Sequence, residues 1–468
     1  MAYLDDDSWP DPDWLRFLVL AFRTSSHAAI GGPNIPPPDD GAIAACVANS
    51  PGCPTHVLLS DSEAEHIPGC NMAYRREALE RIGGFDPQFL TAGDDVDVCW
   101  RLQNAGETLG FHAAAVVWHR RRNSVRAYWR QQVGYGRAEA LLERKWPERY
   151  NRSGHPTWEG RVYDRASSRL RRPVRIYHGV WGTGAFQPEE ASQKTALATF
   201  FTSPDWYLVL ALLAGASLLA PVLPPLRWLA LFTLVAGAVT LGYAAAGAWR
   251  ADFPAATGRG RRGLLIELTA LLHAIQPAAR LVGRVTNGLA PWRRNPGVGI
   301  VTPWRRHRSR WHEAWVHPQE RVRSIEEGIR RSGGRVTRGG PYDRWDLELL
   351  GGVAGAARLL VVVEEHGEGR QLVRCRVWPR AVGFLPWLAV GLIAISGAAV
   401  AAHAWTGAAL AGALVVVVVA TVLAECGHAV AAGVTAFEAT PVSEPPLIDV
   451  ETGTPHVSTV AAMALEEA

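Results

Sequence analysis

Four stretches of the chain, 206–223, 228–249, 382–405 and 408–424, run without Asp, Glu, Lys or Arg. Each approaches the roughly 20 residues that a helix needs to cross a bilayer core. Only Pro-Pro-Leu-Arg (224–227) joins the first two, so they read as a tight hairpin, and the second two as another. Trp206, Tyr207, Trp228 and Trp249 stand at the edges, where interfacial aromatics belong. A buried soluble pair is the plain alternative, but core helices seldom run so long without charge. The rest of the chain is ordinarily polar, so 468 residues divide into soluble parts and spans.

The net charge is only +4. Lys145 and Lys194 are the sole lysines, so the positive charge is arginine's. That pattern fits an Arg-, Ala- and Gly-rich bacterial composition better than a nucleic-acid binder. Arg250, Arg259, Arg261, Arg262, Arg305, Arg306 and Arg308 flank the spans on the long-loop side, whereas the opposite turn has Arg227. The positive-inside rule therefore predicts a multi-pass protein of the bacterial inner membrane, with the N-terminal domain, central loop and C-terminus in the cytosol. The opening Met-Ala-Tyr-Leu-Asp has neither the basic nor the apolar segment of a secretory signal. Six cysteines (46, 53, 70, 99, 375 and 426) show no CxxC or Cys/His metal spacing, and scatter and compartment argue against a Cys46–Cys53 bridge.

The organisation predicted is 1–150 as an α/β domain, 151–204 as linker, 205–249 as the first hairpin, and 250–380 as an Arg-rich amphipathic helix plus a small α+β module. A second hairpin at 381–425 and a tail at 426–468 follow. Ala2–Leu4 reads as the end of a buried strand, and Trp14, Leu15, Leu18 and Phe22 recur at helical spacing. Residues 108–119 (TLGFHAAAVVWH) read as one strand, and 124–145 as a long helix. The stretch Leu264–Leu289 is amphipathic and Arg-flanked, suited to lie on a membrane surface. In the module, 319–334 reads as a helix, and 342–350, 357–366 and 371–379 as strands.

Asp5, Asp6 and Asp7 follow the first strand directly. Acidic residues at the C-terminal end of a strand sit where α/β sheets bind ligands. Three like charges call for a counter-cation, and Mg²⁺ or Mn²⁺ between carboxylates and diphosphate oxygens is the usual one. A turn or N-cap run is the alternative, and it suits Asp11 and Asp13. Asp94 and Asp95 open a helix after Gly93, either as caps or with one as a general base. His119 ends a strand before three arginines, a position that a structural histidine also occupies.

In this order, LDDD (4–7), GCNMAYRREALERIGGFD (69–86), GDDVDVCWRL (93–102) and WHRRRNS (118–124) resemble the family 2 glycosyltransferases and their GT-A fold, over roughly residues 1–150. The resemblance implies that Asp5 and Asp7 form the D-x-D motif that holds a divalent metal and the donor diphosphate, with Asp6 against the donor. It makes Asp95 the catalytic base and Asp94, where Glu is more usual, its acidic neighbour. Asn71 would line the donor site, and His119 would complete the metal shell. Gln132 and Arg137 fall where processive members carry Q-x-x-R-W, but at a different spacing, so processivity is unsupported. The function implied is inverting transfer of a sugar from a nucleotide-sugar donor to a hydroxyl of a glycan or lipid-linked acceptor, as in polysaccharide synthesis. The family's strand–helix–strand half, which clamps base and ribose, lies before the D-x-D motif. The expectation is therefore a partial GT-A domain, silent alone, whose other half is left off by a misassigned start, supplied by an upstream polypeptide, or lost in a degenerate fragment. A non-catalytic membrane scaffold is the other reading. A transporter is disfavoured, because the spans carry no internal charge.

Overall fold

The structure is a computed structural model that describes residues 1–151, 154–163, 201–218, 227–253, 258–290, 299–340, 342–383 and 385–440. Most of the predicted linker, the end of the first predicted span and residues 441–468 lie outside the described residues. Two compact units emerge: Met1–Arg149 with Gly154–Ala290, and Pro291–Ala468 with Tyr150–Ser153.

Among the described residues, the first unit is built on ten short strands: β1 (Ala2–Tyr3), β2 (Ser8–Pro10), β3 (Ala29–Gly31), β4 (Asn34–Ile35), β5 (His56–Leu58), β6 (Glu63–His66), β7 (Met72–Tyr74), β8 (Leu109–Phe111), β9 (Val117–His119) and β10 (Arg161–Tyr163). Seven form a mixed sheet in the order β1-β7-β3-β8-β6-β5-β10, in which β3 and β8 run parallel and the other pairs antiparallel. β3, β7 and β8 are buried at every residue, as strands covered on both faces must be. The remaining three form a small sheet in the order β2-β9-β4. Residues 108–119 are thus two strands in two sheets, not one; the chain turns at His112–Ala115, where Ala115 N–H donates to His112 O. A hydrophobic pattern continuous across the turn hid the break.

Helices α1 (Trp14–Thr24), α2 (Ala42–Ala48), α3 (Arg76–Arg81), α4 (Asp94–Asn104) and α5 (Val125–Lys145) accompany these strands. Val98, Cys99 and Leu102 of α4 enter the core formed with Ile67, Met72, Leu109 and Phe111. On α1, Trp14 and Leu18 are buried, but Leu15, assigned to the same face, is 60% exposed. All six cysteines are free thiols.

Helices α6 (Pro204–Ser217), α7 (Arg227–Trp249) and α8 (Arg259–Thr286) complete this unit. Leu229–Trp249 is long and apolar enough to cross a membrane, and Gly260–Thr286 also qualifies by length and composition. Yet α8 packs closely on α5. A Cβ on Gly136 would lie 2.3 Å from Arg280 O, and one on Gly283 would lie 2.1 Å from Val133 O. Glycine at both positions lets the two backbones touch, and Arg280 closes the crossing with an ion pair to Glu139 at 3.1 Å. The polar side of this amphipathic helix therefore meets protein.

The second unit holds a five-stranded antiparallel sheet, ordered β11-β15-β14-β13-β12, of β11 (Arg306–His312), β12 (Arg335–Arg338), β13 (Leu347–Leu350), β14 (Gly355–Glu365) and β15 (Gln371–Ala381). β11 and β12 lie outside the predicted strands, because charged edge strands lack apolar alternation. Helices α9 (Pro318–Arg331), α10 (Leu385–Ala401) and α11 (Trp405–Ala439) complete it. α10 is a shorter apolar helix, whereas α11 has the length and composition of a span. At 1.5 Å per residue α11 is about 52 Å long, well beyond a hydrocarbon core of about 30 Å. Its last turns are not a tail: Ala429, Val430, Ala432 and Phe437 pack with Ile325, Leu349, Val373 and Val377 in the core of the sheet.

Candidate active site

Pairing between the two small strands of the β2–β9 ladder brings the acidic cluster to His119. Ser8 stands opposite His119 and Trp9 opposite Trp118, while Arg120 N–H donates to Asp7 O at 3.0 Å. His119 Nε2 thereby lies 3.0 Å from Asp7 Oδ1 and 3.8 Å from Asp5 Oδ2. Arg122 Nη1 pairs with the other Asp7 oxygen at 3.1 Å. Asp6 is exposed between them. Asp11 and Asp13 stay apart: Asp11 accepts from Trp118 Nε1 at 3.4 Å, and Asp13 precedes α1 without a side-chain cap bond.

A single turn, Gly69–Asn71, joins this cluster to the second acidic pair. Gly69 N–H donates to Asp95 Oδ2 at 3.0 Å, and Val96 N–H donates to Oδ1 at 2.8 Å. Cys70, the next residue, groups with Asp5 and His119, their ligand atoms all within 4.8 Å of one another. Asn71 locks the turn. It accepts from Trp14 Nε1 at 2.8 Å and donates to Pro33 O and Ala115 O at 2.9 and 2.8 Å. Both amide hydrogens of Asn71 are used, so the structure makes it a strut where the resemblance implied a donor contact. Gln132 is likewise buried, donating to Gly52 O at 3.0 Å and accepting from Gln276 at 3.3 Å. Arg137 is exposed on α5, and among the described residues no bond ties it to the acidic cluster.

The four carboxylates differ electrostatically. Burial pushes Asp5 up from the usual range, His119 opposes this, and Asp7 and Asp95 add to it. The His119 hydrogen bond holds Asp7 down against burial, with help from Arg122. Burial, then the Asp95 charge, lifts Asp94 to about 6. Burial also pushes Asp95 upward, but His66 and the Gly69 and Val96 N–H groups outweigh it and keep Asp95 below the usual value. His66 was not singled out in the sequence; its Nε2 lies 3.5 Å from Asp95 Oδ2, and only the fold brings β6 to the mouth of α4.

A divalent cation suits this donor set. Two carboxylates, one raised by burial and its neighbours' charge, offer the hard oxygens that Mg²⁺ and Mn²⁺ take, and an imidazole stands beside them.

This chain belongs to the family described as glycosyl transferase family group 2, whose model matches residues 1–247. Among relatives, the pre-mycofactocin glycosyltransferase of Mycobacterium tuberculosis is 30% identical over 157 residues, 32% of this chain and 33% of that protein. The "Probable glycosyltransferase YdaM" of Bacillus subtilis is 32% identical over 76 residues, 16% of this chain and 18% of its own. The glucosyl-dolichyl phosphate glucuronosyltransferase of Haloferax volcanii is 25% identical over 138 residues, 26% of this chain and 42% of its own. The chain thus matches about a third of the length of the first of these relatives. The chain thus carries a family 2 glycosyl transferase domain of mixed α/β fold, together with helices long and apolar enough to cross a membrane.

Proposed function

We propose that the chain transfers a sugar, with inversion, from a nucleotide-diphosphate donor to an acceptor hydroxyl at the cytosolic face of a bacterial inner membrane. The observation that carries this reading is the Gly69–Asn71 turn, which touches Asp95 at one end and the Asp5/His119 group at the next residue. A leaving-group site and a base site are thereby set side by side. Asp95 takes the proton of the acceptor hydroxyl. The new bond forms at the anomeric carbon as the bond to diphosphate oxygen breaks on the opposite face. Gly69 and Val96 hold the carboxylate in one orientation, and His66 keeps it ionised. Asp5, Asp7 and His119 would hold Mg²⁺ or Mn²⁺, which would supply positive charge against the diphosphate. Asp6 and Arg137, both exposed, are the remaining candidates for donor contacts.

A polypeptide supplying the nucleoside clamp has an edge to join at β1, the outermost strand of its sheet among the described residues. There Met1, Ala2, Leu15, Val19 and Phe22 line an open cavity of about 380 Å³, to which a further polypeptide segment would pair and complete the clamp. A lipid-linked or glycan acceptor fits the membrane helices, and the name of the Haloferax relative carries a lipid-linked glucosyl group.

The test uses the chain in lipid nanodiscs with Mn²⁺, a panel of nucleotide-sugars and lipid-linked acceptors, reading released nucleoside diphosphate. Asp95→Asn should lower turnover about 10²–10⁴-fold and leave donor binding intact. Turnover that survives in this variant places the base on another carboxylate. Turnover, and its loss in Asp95→Asn, is expected once a polypeptide supplying the strand–helix–strand half is added; donor binding without turnover even then favours the scaffold reading.

A further inference from the structure

We propose that Asp5, Cys70 and His119 form a site for a thiophilic divalent ion of the zinc class, overlapping the site of the hard ion but drawing on a different donor set. One carboxylate oxygen, one thiol sulfur and one imidazole nitrogen lie within 4.8 Å of one another. Ligand atoms around tetrahedral zinc are separated by about 3.5 Å, as bonds of about 2.0–2.3 Å require. A contraction of at most about 1.3 Å closes the ring.

The arrangement is held in place from several sides. Cys70 is 2% exposed and sits in the turn that the three Asn71 hydrogen bonds lock. His119 is 4% exposed and held by the β2–β9 ladder. The Asp5 side chain is half exposed, at the mouth of the group, which leaves a fourth position facing solvent. Two buried ligands on the floor and a half-exposed carboxylate at the rim suit an ion that binds sulfur and nitrogen first. Mg²⁺ and Mn²⁺ favour oxygen and have no use for the sulfur.

Zinc uptake breaks the Cys70 S–H bond, forms a Zn–S bond and releases the proton to solvent. Ligation through His119 Nε2 also moves the ring proton to Nδ1, so Arg121 must withdraw the N–H that it now donates there at 3.0 Å. Because both ions need Asp5 and His119, they exclude each other. Zinc is then an inhibitor that competes with the hard metal. The site stands or falls on spectroscopy of the ion, whether or not the chain turns over a sugar.

The decisive experiment adds Co²⁺, and separately Zn²⁺, to the purified full chain in nanodiscs. Co²⁺ should produce a thiolate-to-metal charge-transfer band, and Zn²⁺ X-ray absorption should show one sulfur at about 2.3 Å among nitrogen and oxygen scatterers. Bound Mn²⁺, followed by electron paramagnetic resonance, should be displaced by stoichiometric Zn²⁺. In Cys70→Ala the band should vanish and the Zn²⁺ needed for displacement should rise at least tenfold, while Mn²⁺ affinity stays unchanged, which also reports an intact fold. A wild-type spectrum without sulfur overturns the proposal even if the variant does not fold. So does a charge-transfer band that persists in Cys70→Ala.

Discussion

Arg121 Nη1 lies 3.0 Å from His119 Nδ1, and because a guanidinium only donates, Nδ1 must be the acceptor. The ring proton of His119 therefore sits on Nε2 and is given to Asp7 Oδ1, 3.0 Å away. In this state His119 orients the Asp7 carboxylate and does not itself offer a lone pair toward the cluster. Asn34 fixes the guanidinium from behind, its Oδ1 accepting from Arg121 Nη2 at 2.8 Å. The tautomer is thus set by a residue two positions along the chain.

Arg122 competes with any cation for Asp7, since its Nη1 occupies the second oxygen at 3.1 Å. The pair is partly exposed, so it contributes about 0.5–1 kcal/mol. Arg122→Gln should tighten Mn²⁺ binding roughly two- to fivefold. Asp7→Asn should weaken it at least tenfold, by the loss of a charged ligand. Titration with electron paramagnetic resonance detection distinguishes these, and equal affinity in all three proteins would remove Asp7 from the metal site.

Asp94 should cost stability near neutral pH. Its folded value is raised to about 6 from 3.8, so the folded chain binds the extra proton. Its stabilising contribution is complete below about 3.8 and is lost as pH rises to about 6. After discounting for solvent, Asp94→Asn should add about 1–2 kcal/mol at pH 7, and the gain should shrink to nothing near pH 4. Thermal melts of both proteins across this range read the difference directly.

His56 works in the opposite direction. It is buried, and burial lowers its value to about 4 although its Nε2 faces Gly32 O at 2.7 Å. The unfolded chain takes up a proton below about 6.5 and the folded chain only near 4, so stability is lost as pH falls between them. The full loss is about 3 kcal/mol. Replacing His56 with Gln should flatten this limb of the stability curve; a limb of the same depth in the variant assigns the titration elsewhere.

Glu425 anchors α11 to the sheet of its own unit. One carboxylate oxygen accepts from Ala354 N–H at 2.6 Å and Gly355 N–H at 2.9 Å. The backbone comes this close because position 352 is glycine: a Cβ there would lie 2.2 Å from Glu425 Cδ. Glu425→Ala leaves two buried donors unsatisfied and should cost about 2–4 kcal/mol, whereas Glu425→Gln keeps an acceptor and should cost less than half of that. Amide exchange at Ala354 and Gly355 should accelerate in step; unchanged exchange in Glu425→Ala would mean that the anchor lies elsewhere.

Much of the site was legible as local chemistry. Charge repulsion among Asp5, Asp6 and Asp7 marks a cation-seeking cluster in any context, and Gly93, at φ +90°, sets Asp94 and Asp95 at a helix mouth. His66 and Cys70 carry no such mark. One is a histidine in a short strand and the other a thiol in a turn, and neither spacing nor charge connects them to Asp95 or Asp5, which lie far along the chain.

The sequence by itself determined the apolar runs, the helix at 94–104 and the acidic pairs, because each depends on neighbours within a few residues, where period and charge decide the outcome. Only the tertiary structure decided which donors meet. The Ser8–His119 pairing sets His119 beside Asp7, the Gly69–Asn71 turn sets Cys70 beside Asp5, and the burial of Asn71 and Gln132 turns two expected ligand contacts into struts. The same holds for α11, whose apolar run ends near residue 424 but whose helix continues to Ala439 because the sheet of its unit receives it. Those outcomes depend on the distance between segments far apart in the chain, and that distance is a property of the packed fold.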